Sequence, residues 1–225
     1  MAGEMLRSEA ICLAIVPWSK TSHIVTWLTR EGKVSTVAKG AERPKSFLLG
    51  QYDLNYTCDI LYYARARGEI HALRECAPLR LREALRADYR ALALAGYFRR
   101  LVYEFAPQGV ECGDWYALLE EFLDKATGEE KLRILLAFEL KVLRLMGLEP
   151  EVEAESGGFH LRGERVIPLS KEVADYLRDP MGDVKNPQIP LDAARVIGVF
   201  YQFHLDCASD VRRAVLGLVL KSKES

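Results

Sequence analysis

The sequence predicts a two-domain α+β protein, with a small five-stranded barrel over residues 1–79 and an all-α helical bundle over 80–225. Three observations carry this. Residues 9–76 are rich in Val, Ile, Thr, Tyr and Trp and hold no long helical pattern. One stretch, YDLNYTCDILYY, alternates strictly, with Tyr52, Leu54, Tyr56, Cys58, Ile60 and Tyr62 on one face and Asp53, Asn55, Thr57 and Asp59 on the other. Beyond Pro78 the apolar period lengthens to that of a helix.

In chain order, Glu9–Val16 reads as the first strand, followed by His23–Thr29 and Lys33–Lys39, with Gly32 turning the chain between the latter two. The alternating stretch is the fourth strand, ARARG the next turn, and Glu69–Cys76 the fifth, closed off by Pro78. Five short strands in about eighty residues fit a closed or partly closed barrel. Leu94, Tyr97, Phe98, Leu101, Val102 and Phe105 then share one helix face. Asp114 is placed to cap a helix from Trp115 to Ala126. A third helix, Glu129–Met146, is apolar around most of its circumference, leaves Arg133, Lys141 and Arg144 as its exposed stripe, and ends at Gly147 and Pro150. Residues 153–168 (EAESGGFHLRGERVIP) break the period as a short irregular hairpin. Helices resume at Ser170–Arg178, Leu191–Leu205 and from Asp210.

Composition narrows the function. The chain is 49% hydrophobic and 28% charged, as in ordinary globular proteins, and holds no apolar run of membrane-spanning length. The N-terminus lacks the plan of a signal peptide, and five scattered cysteines (Cys12, Cys58, Cys76, Cys112, Cys207) read as free thiols of a reducing, cytoplasmic compartment. The formal net charge of −1 conceals an asymmetry: residues 1–105 hold 16 Lys and Arg against 11 Asp and Glu, and the remainder is acidic. Catalytic patterns are missing. The only Gly-Lys pair, Gly32-Lys33, is followed by Val34 and sits in a hairpin, which defeats a P-loop, and the four histidines stand far apart without metal-ligand spacing. The reading is of a binder, not an enzyme.

The binder's candidate ligand is nucleic acid. Small barrels hold single strands with cations along the phosphates and aromatics against the bases. Trp18 and Lys20 lie in the first interstrand loop, Arg30 and Lys33 flank the Gly32 hairpin, and Lys39, Gly40, Arg43 and Lys45 form a basic loop directly after a strand. Arg65 and Arg67 crown the next turn, with Arg74 and Arg80 beyond. An RNA-binding factor, or a protein-only scaffold whose loop cations dock an acidic partner, fits the same features.

The stretch PWSKTSHIVTWLTREGKVSTVAKGAERPKS resembles the N-terminal OB-fold barrel of the bacterial recombination mediator family RecO, whose pattern ends in V-A-K-G-A-R-R-x-x-S. Glu42 here interrupts the usual basic pair. GEIHALRE and RILLAFELKVLRLMGLEPEV are similar to two further family segments, and the match fades after residue 152. The resemblance implies a mediator that binds single- and double-stranded DNA without ATP and anneals complementary strands. It also implies contact with the C-terminal tail of the single-strand-binding protein SSB, and work with RecR to load RecA. Localisation would be cytoplasmic and nucleoid-associated, with no membrane partner. Arg86, Arg90, Arg99 and Arg100, with Arg133, Lys141 and Arg144, are candidates for a second DNA surface or the SSB-tail groove. Many members carry a zinc knuckle of two CxxC pairs after the third helix. This chain has no cysteine between Cys112 and Cys207 and only His160 as a good ligand in the degenerate region 150–170, so no zinc and no other cofactor is expected. The Lys-Ser-Arg motif of the family's C-terminus has only a loose substitute in Arg212-Arg213.

Overall fold

The computed structural model describes residues 4–65, 69–149, 158–160, 166–205 and 209–221. Five strands close a barrel in the order β1-β2-β3-β5-β4. They are β1 (Met5–Ser19), β2 (Ser22–Leu28), β3 (Lys33–Ala38), β4 (Thr57–Tyr63) and β5 (Ile70–Arg80). All neighbours are antiparallel except β3 and β5, which run parallel. Helices α1 (Ala84–Ala87), α2 (Tyr89–Phe105), α3 (Gly113–Lys125) and α4 (Lys131–Leu145) follow. After them come a short hairpin of β6 (Gly158–His160) and β7 (Val166–Pro168), then α5 (Lys171–Arg178), α6 (Gln188–His204) and α7 (Ser209–Leu220). The chain forms two compact units, residues 1–87 with 98–124, and residues 88–97 with 125–225.

In the first unit β1 is far longer than the apolar run that announces it. Its first half pairs with β4 and its second with β2, with register breaks between Cys12 and Ala14 and between Pro17 and Ser19. Such breaks add twist and let one strand serve both sides of a closing sheet. Ala10 and Cys12 point into the barrel core with Val25, Trp27, Cys58, Ile60, Leu73 and Cys76. Ile11 and Leu13, of opposite parity, are equally buried. On their face Glu9 accepts the Tyr116 hydroxyl of α3 at 2.7 Å. Burial on both faces is why the run AICL shows no alternation.

Two details differ from the sequence reading. The alternation of residues 52–56 does not mark a strand. Asn55 takes φ +68, its amide donates to the Cys12 carbonyl, and the Tyr56 amide closes a turn on Asp53. Asparagine is among the few side chains that enter this region readily. Pro78 does not end the sheet either: it lies inside β5 opposite Cys58, beside a register break where a missing N–H is tolerated.

Trp27 is fully buried, and its indole N–H donates to Thr36 Oγ1 at 2.8 Å. Thr36→Val keeps the shape but strands that donor, so urea unfolding followed by circular dichroism should show a loss of about 1–3 kcal/mol.

Among the described residues of the second unit, the regular elements are helices apart from the β6–β7 hairpin. Helix α4 buries Ile134 through Glu139 in an unbroken run. Helix α5 starts at Ser170, whose side chain accepts the Val173 amide at 3.3 Å. At the centre lies a charged group. Glu139, fully buried, accepts from Tyr97 Oη at 2.7 Å and from Arg212 Nε and Nη2 at 2.7 and 3.0 Å. Arg212 also reaches the Ala194 carbonyl, and Tyr201 donates to the Glu139 carbonyl. Burial opposes the Arg212 charge, but Glu139 more than offsets it and the guanidinium pKa is raised. A Cβ at position 198 would fall 2.8 Å from Arg212 Nη1, so Gly198 supplies the room. Arg212, in the loose substitute for the family's C-terminal motif, is thus part of the buried core.

Candidate nucleic-acid interface

The predicted cations do not all gather in one place. A first group converges where the β1–β2 turn meets the loop after β3. The Gly40 amide donates to Ser22 Oγ at 3.0 Å, and the Glu42 amide to the Thr21 carbonyl at 3.2 Å. These bonds join PWSKTS to AKGAERPKS, two segments some twenty residues apart in the chain. Lys20, Lys39, Arg43 and Lys45 are all exposed there, and none forms an ion pair with a described residue. Trp18 is 63% exposed beside them. Gly40 takes φ +63, a conformation that excludes most side chains, and the stem of Arg43 packs over it with Cδ 3.2 Å from where a Cβ would stand. Its immediate role is thus to make the turn and seat Arg43.

Glu42, the departure from the basic pattern, is held by a hydrogen bond to His23. Its Oε1 lies 2.8 Å from His23 Nε2, while His23 Nδ1 meets Tyr52 Oη at 2.9 Å. The carboxylate therefore serves as a strut between loop and strand. Further along, Leu48 is 2% exposed and belongs to the barrel core, with Phe47 and Leu49 exposed on either side.

A second group lies at the opposite end of the β2–β3 hairpin. Arg30 stacks on Tyr116, 4.5 Å from the ring centroid. Lys33 is half-buried and donates to the Tyr103 carbonyl at 3.0 Å, and burial pulls its pKa down. Because β5 starts parallel to β3 at the pair Ser35 and Ile70, exposed Arg65 belongs to this end too. Arg74 is exposed and lies over Tyr63. Arg80 pairs with Glu120 at 3.3 Å and Asp124 at 3.5 Å. Arg67 lies outside the described residues.

The third group is mostly engaged within the protein. Arg86 binds Asp53 at 2.7 Å and Tyr56 Oη at 2.9 Å. Arg90 lies over the Tyr89 ring and Arg100 pairs with Glu104. Arg99 donates to the Leu13 carbonyl, and burial lowers its pKa. Arg133 is not part of an exposed stripe: it is bound to Glu130 and to the carbonyls of Pro180 and Gly182. Lys141 and Arg144 are exposed, with Arg144 paired to Glu149. In the same unit a groove of about 520 Å³ has walls that include Leu132, Val184, Pro190 and Val219, with Glu129, Glu130, Lys131 and Arg133 as its charged borders.

A five-stranded barrel bearing a cationic loop cluster, continued by a helical region, defines a barrel-plus-bundle protein of the OB type. Its relatives sharpen this. Residues 1–82 match the family model for the N-terminal domain of recombination protein O, and residues 86–209 the model for its C-terminal domain. The chain is 32% identical over 205 residues to the DNA repair protein RecO of Desulforudis audaxviator, covering 89% of this chain and 80% of that one. It is 30% identical over 152 residues to RecO of Alkaliphilus metalliredigens (66% of this chain, 61% of the relative). With RecO of Moorella thermoacetica the identity is 28% over 151 residues (67% and 56%). The chain belongs to the RecO family of DNA repair proteins. Among the described residues no helix is long and apolar enough to cross a membrane.

Proposed function

We propose that this chain is a non-catalytic recombination mediator that binds single- and double-stranded DNA through the loop cluster and anneals complementary strands. With RecR it would load RecA onto strands covered by SSB, acting in the cytoplasm at the nucleoid. The observation that supports it is the joining of Trp18, Lys20, Lys39, Arg43 and Lys45 on one end of the barrel by the Gly40–Ser22 and Glu42–Thr21 hydrogen bonds. Annealing requires no bond to form or break in the protein. Two polyanions must approach, and a fixed array of ammonium and guanidinium groups lowers their repulsion while releasing condensed counterions. That chemistry consumes no nucleotide, in keeping with a chain that lacks a P-loop.

The groove of the helical unit is our candidate for the tail of SSB, through its apolar walls. Its cations are already engaged, Lys131 with Asp88 and Arg133 with Glu130, and Glu129 and Glu130 share its rim, so apolar contact and not charge pairing would carry that binding. Fluorescence anisotropy of a labelled single-stranded oligonucleotide across a salt series tests the DNA reading. Tight binding that weakens steeply with salt is expected, and absence of binding both alone and with RecR overturns it.

The zinc of many relatives does not fit this chain. Their knuckle uses thiolates, and no cysteine occurs between Cys112 and Cys207. Purified protein should carry well under one zinc per chain by elemental analysis, and EDTA should leave its melting temperature unchanged.

A further inference from the structure

We propose that Phe47 contacts unpaired bases and makes the loop cluster favour single strands over duplex; the inference rests on the DNA-binding reading above. Phe47 is 70% exposed and Trp18 63%, the two highest values among the described large apolar side chains. Phe47 stands on the loop after β3 that holds Lys39, Arg43 and Lys45, and Trp18, which the sequence reading placed in a loop, lies in β1 two residues before Lys20. A large aromatic surface left in water beside four positive charges matches a ligand that offers both phosphates and π faces.

The exposure of Phe47 does not come from slack in the chain. The Ser46 amide donates to the Arg43 carbonyl at 2.8 Å, the Leu48 amide to Ser46 Oγ at 3.2 Å, and the Leu49 amide to the Ser46 carbonyl at 3.2 Å. With Leu48 seated in the barrel core, its neighbour is held outward by this run of turns. Phe47 follows Lys45 by two residues, so a strand whose backbone tracks Lys39, Arg43 and Lys45 runs beside the segment that carries the ring. In a duplex the bases cover one another's faces, and the surface offers phosphates and base edges in the grooves but no free π face for the ring to stack on. Cations then set affinity for both forms, and Phe47 sets the difference between them.

The test compares wild type, Phe47→Ala and Phe47→Tyr on a labelled single-stranded oligonucleotide and on its duplex of equal length. Phe47→Ala should weaken single-strand binding by about 5- to 100-fold, with the salt slope and duplex affinity unchanged, and Phe47→Tyr should retain binding. Unaltered single-strand binding by Phe47→Ala, or an equal loss on both forms, overturns the proposal. A Lys39→Glu/Arg43→Glu/Lys45→Glu variant separates the two failures. If it loses both substrates while Phe47→Ala loses neither, only the role of Phe47 falls and the ring becomes a protein contact. If it loses nothing, the DNA-binding reading of the loop falls, and this proposal with it.

Discussion

Arg212→Leu should destabilise the helical unit by about 3–5 kcal/mol, read as a shift of its urea transition. The substitution leaves Glu139, which has no exposure to solvent, with the Tyr97 hydroxyl as its remaining side-chain donor of those described above. A buried carboxylate that loses its guanidinium either keeps an uncompensated charge or takes up a proton, and both cost free energy. The double variant Glu139→Leu/Arg212→Leu removes both charges together and should recover much of the loss. The carboxylate's desolvation cost disappears with it, leaving mainly the loss of the Tyr97–Glu139 hydrogen bond. A double variant as unstable as the single one would show that packing around Arg212, and not its charge pairing, holds this core. The barrel should be little affected, since the network lies wholly in the second unit.

The second large effect concerns binding. The Lys39→Glu/Arg43→Glu/Lys45→Glu variant should bind single-stranded DNA about a hundredfold more weakly at low salt, with a log–log salt slope shallower by about 2 to 3. Each of these side chains is exposed and free of ion pairs with described residues, so each is available to displace a counterion from a phosphate. Reversal in place of neutralisation adds repulsion against the same phosphates. Folding should survive, because the loop's anchors are Gly40, Glu42 and Leu48, all untouched. Unchanged circular dichroism would separate lost binding from lost structure. The corresponding reversal of Arg30 and Lys33, at the other end of the barrel, should move affinity far less. Arg30 is stacked on Tyr116, and Lys33 is committed to the Tyr103 carbonyl. If the two variants weaken binding equally, the strand crosses the whole barrel surface and not the one loop cluster.

Periodicity made the barrel and the principal helices legible, because alternation and the 3.6-residue repeat are local properties of the chain. Its failures have physical causes. The first half of β1 carries Glu9 and Arg7 on the outer parity, and these find partners in Tyr116, Asp59 and Glu75 that no local pattern announces. Residues 52–56 alternate because Tyr52 and Tyr56 pack toward the core from a turn, which mimics a strand over that short span. The candidate cations can be listed from sequence, but which of them stand free of partners inside the protein cannot. Whether an arginine is free depends on carboxylates brought in from elsewhere, as Glu120 and Asp124 come to Arg80. The structural role of Glu42 is not legible in sequence because its partner His23 lies nineteen residues back, on β2. Phe47 is not legible as a surface residue because SFLLG reads as a plain apolar run; only the burial of Leu48 shows which of its side chains turn outward.

The tethering of this loop bears on speed as well as strength. Its charges sit on backbone already fixed at Gly40, Glu42 and Leu48, so little chain entropy is lost when a strand arrives. An encounter steered by long-range attraction can then mature without waiting for the loop to order. The annealing proposed above, in which one strand is laid down, meets its complement and leaves as paired product, gains from such a surface. Each phosphate contact is individually weak and quickly remade, so the strand stays free to shift register until its bases find their partners.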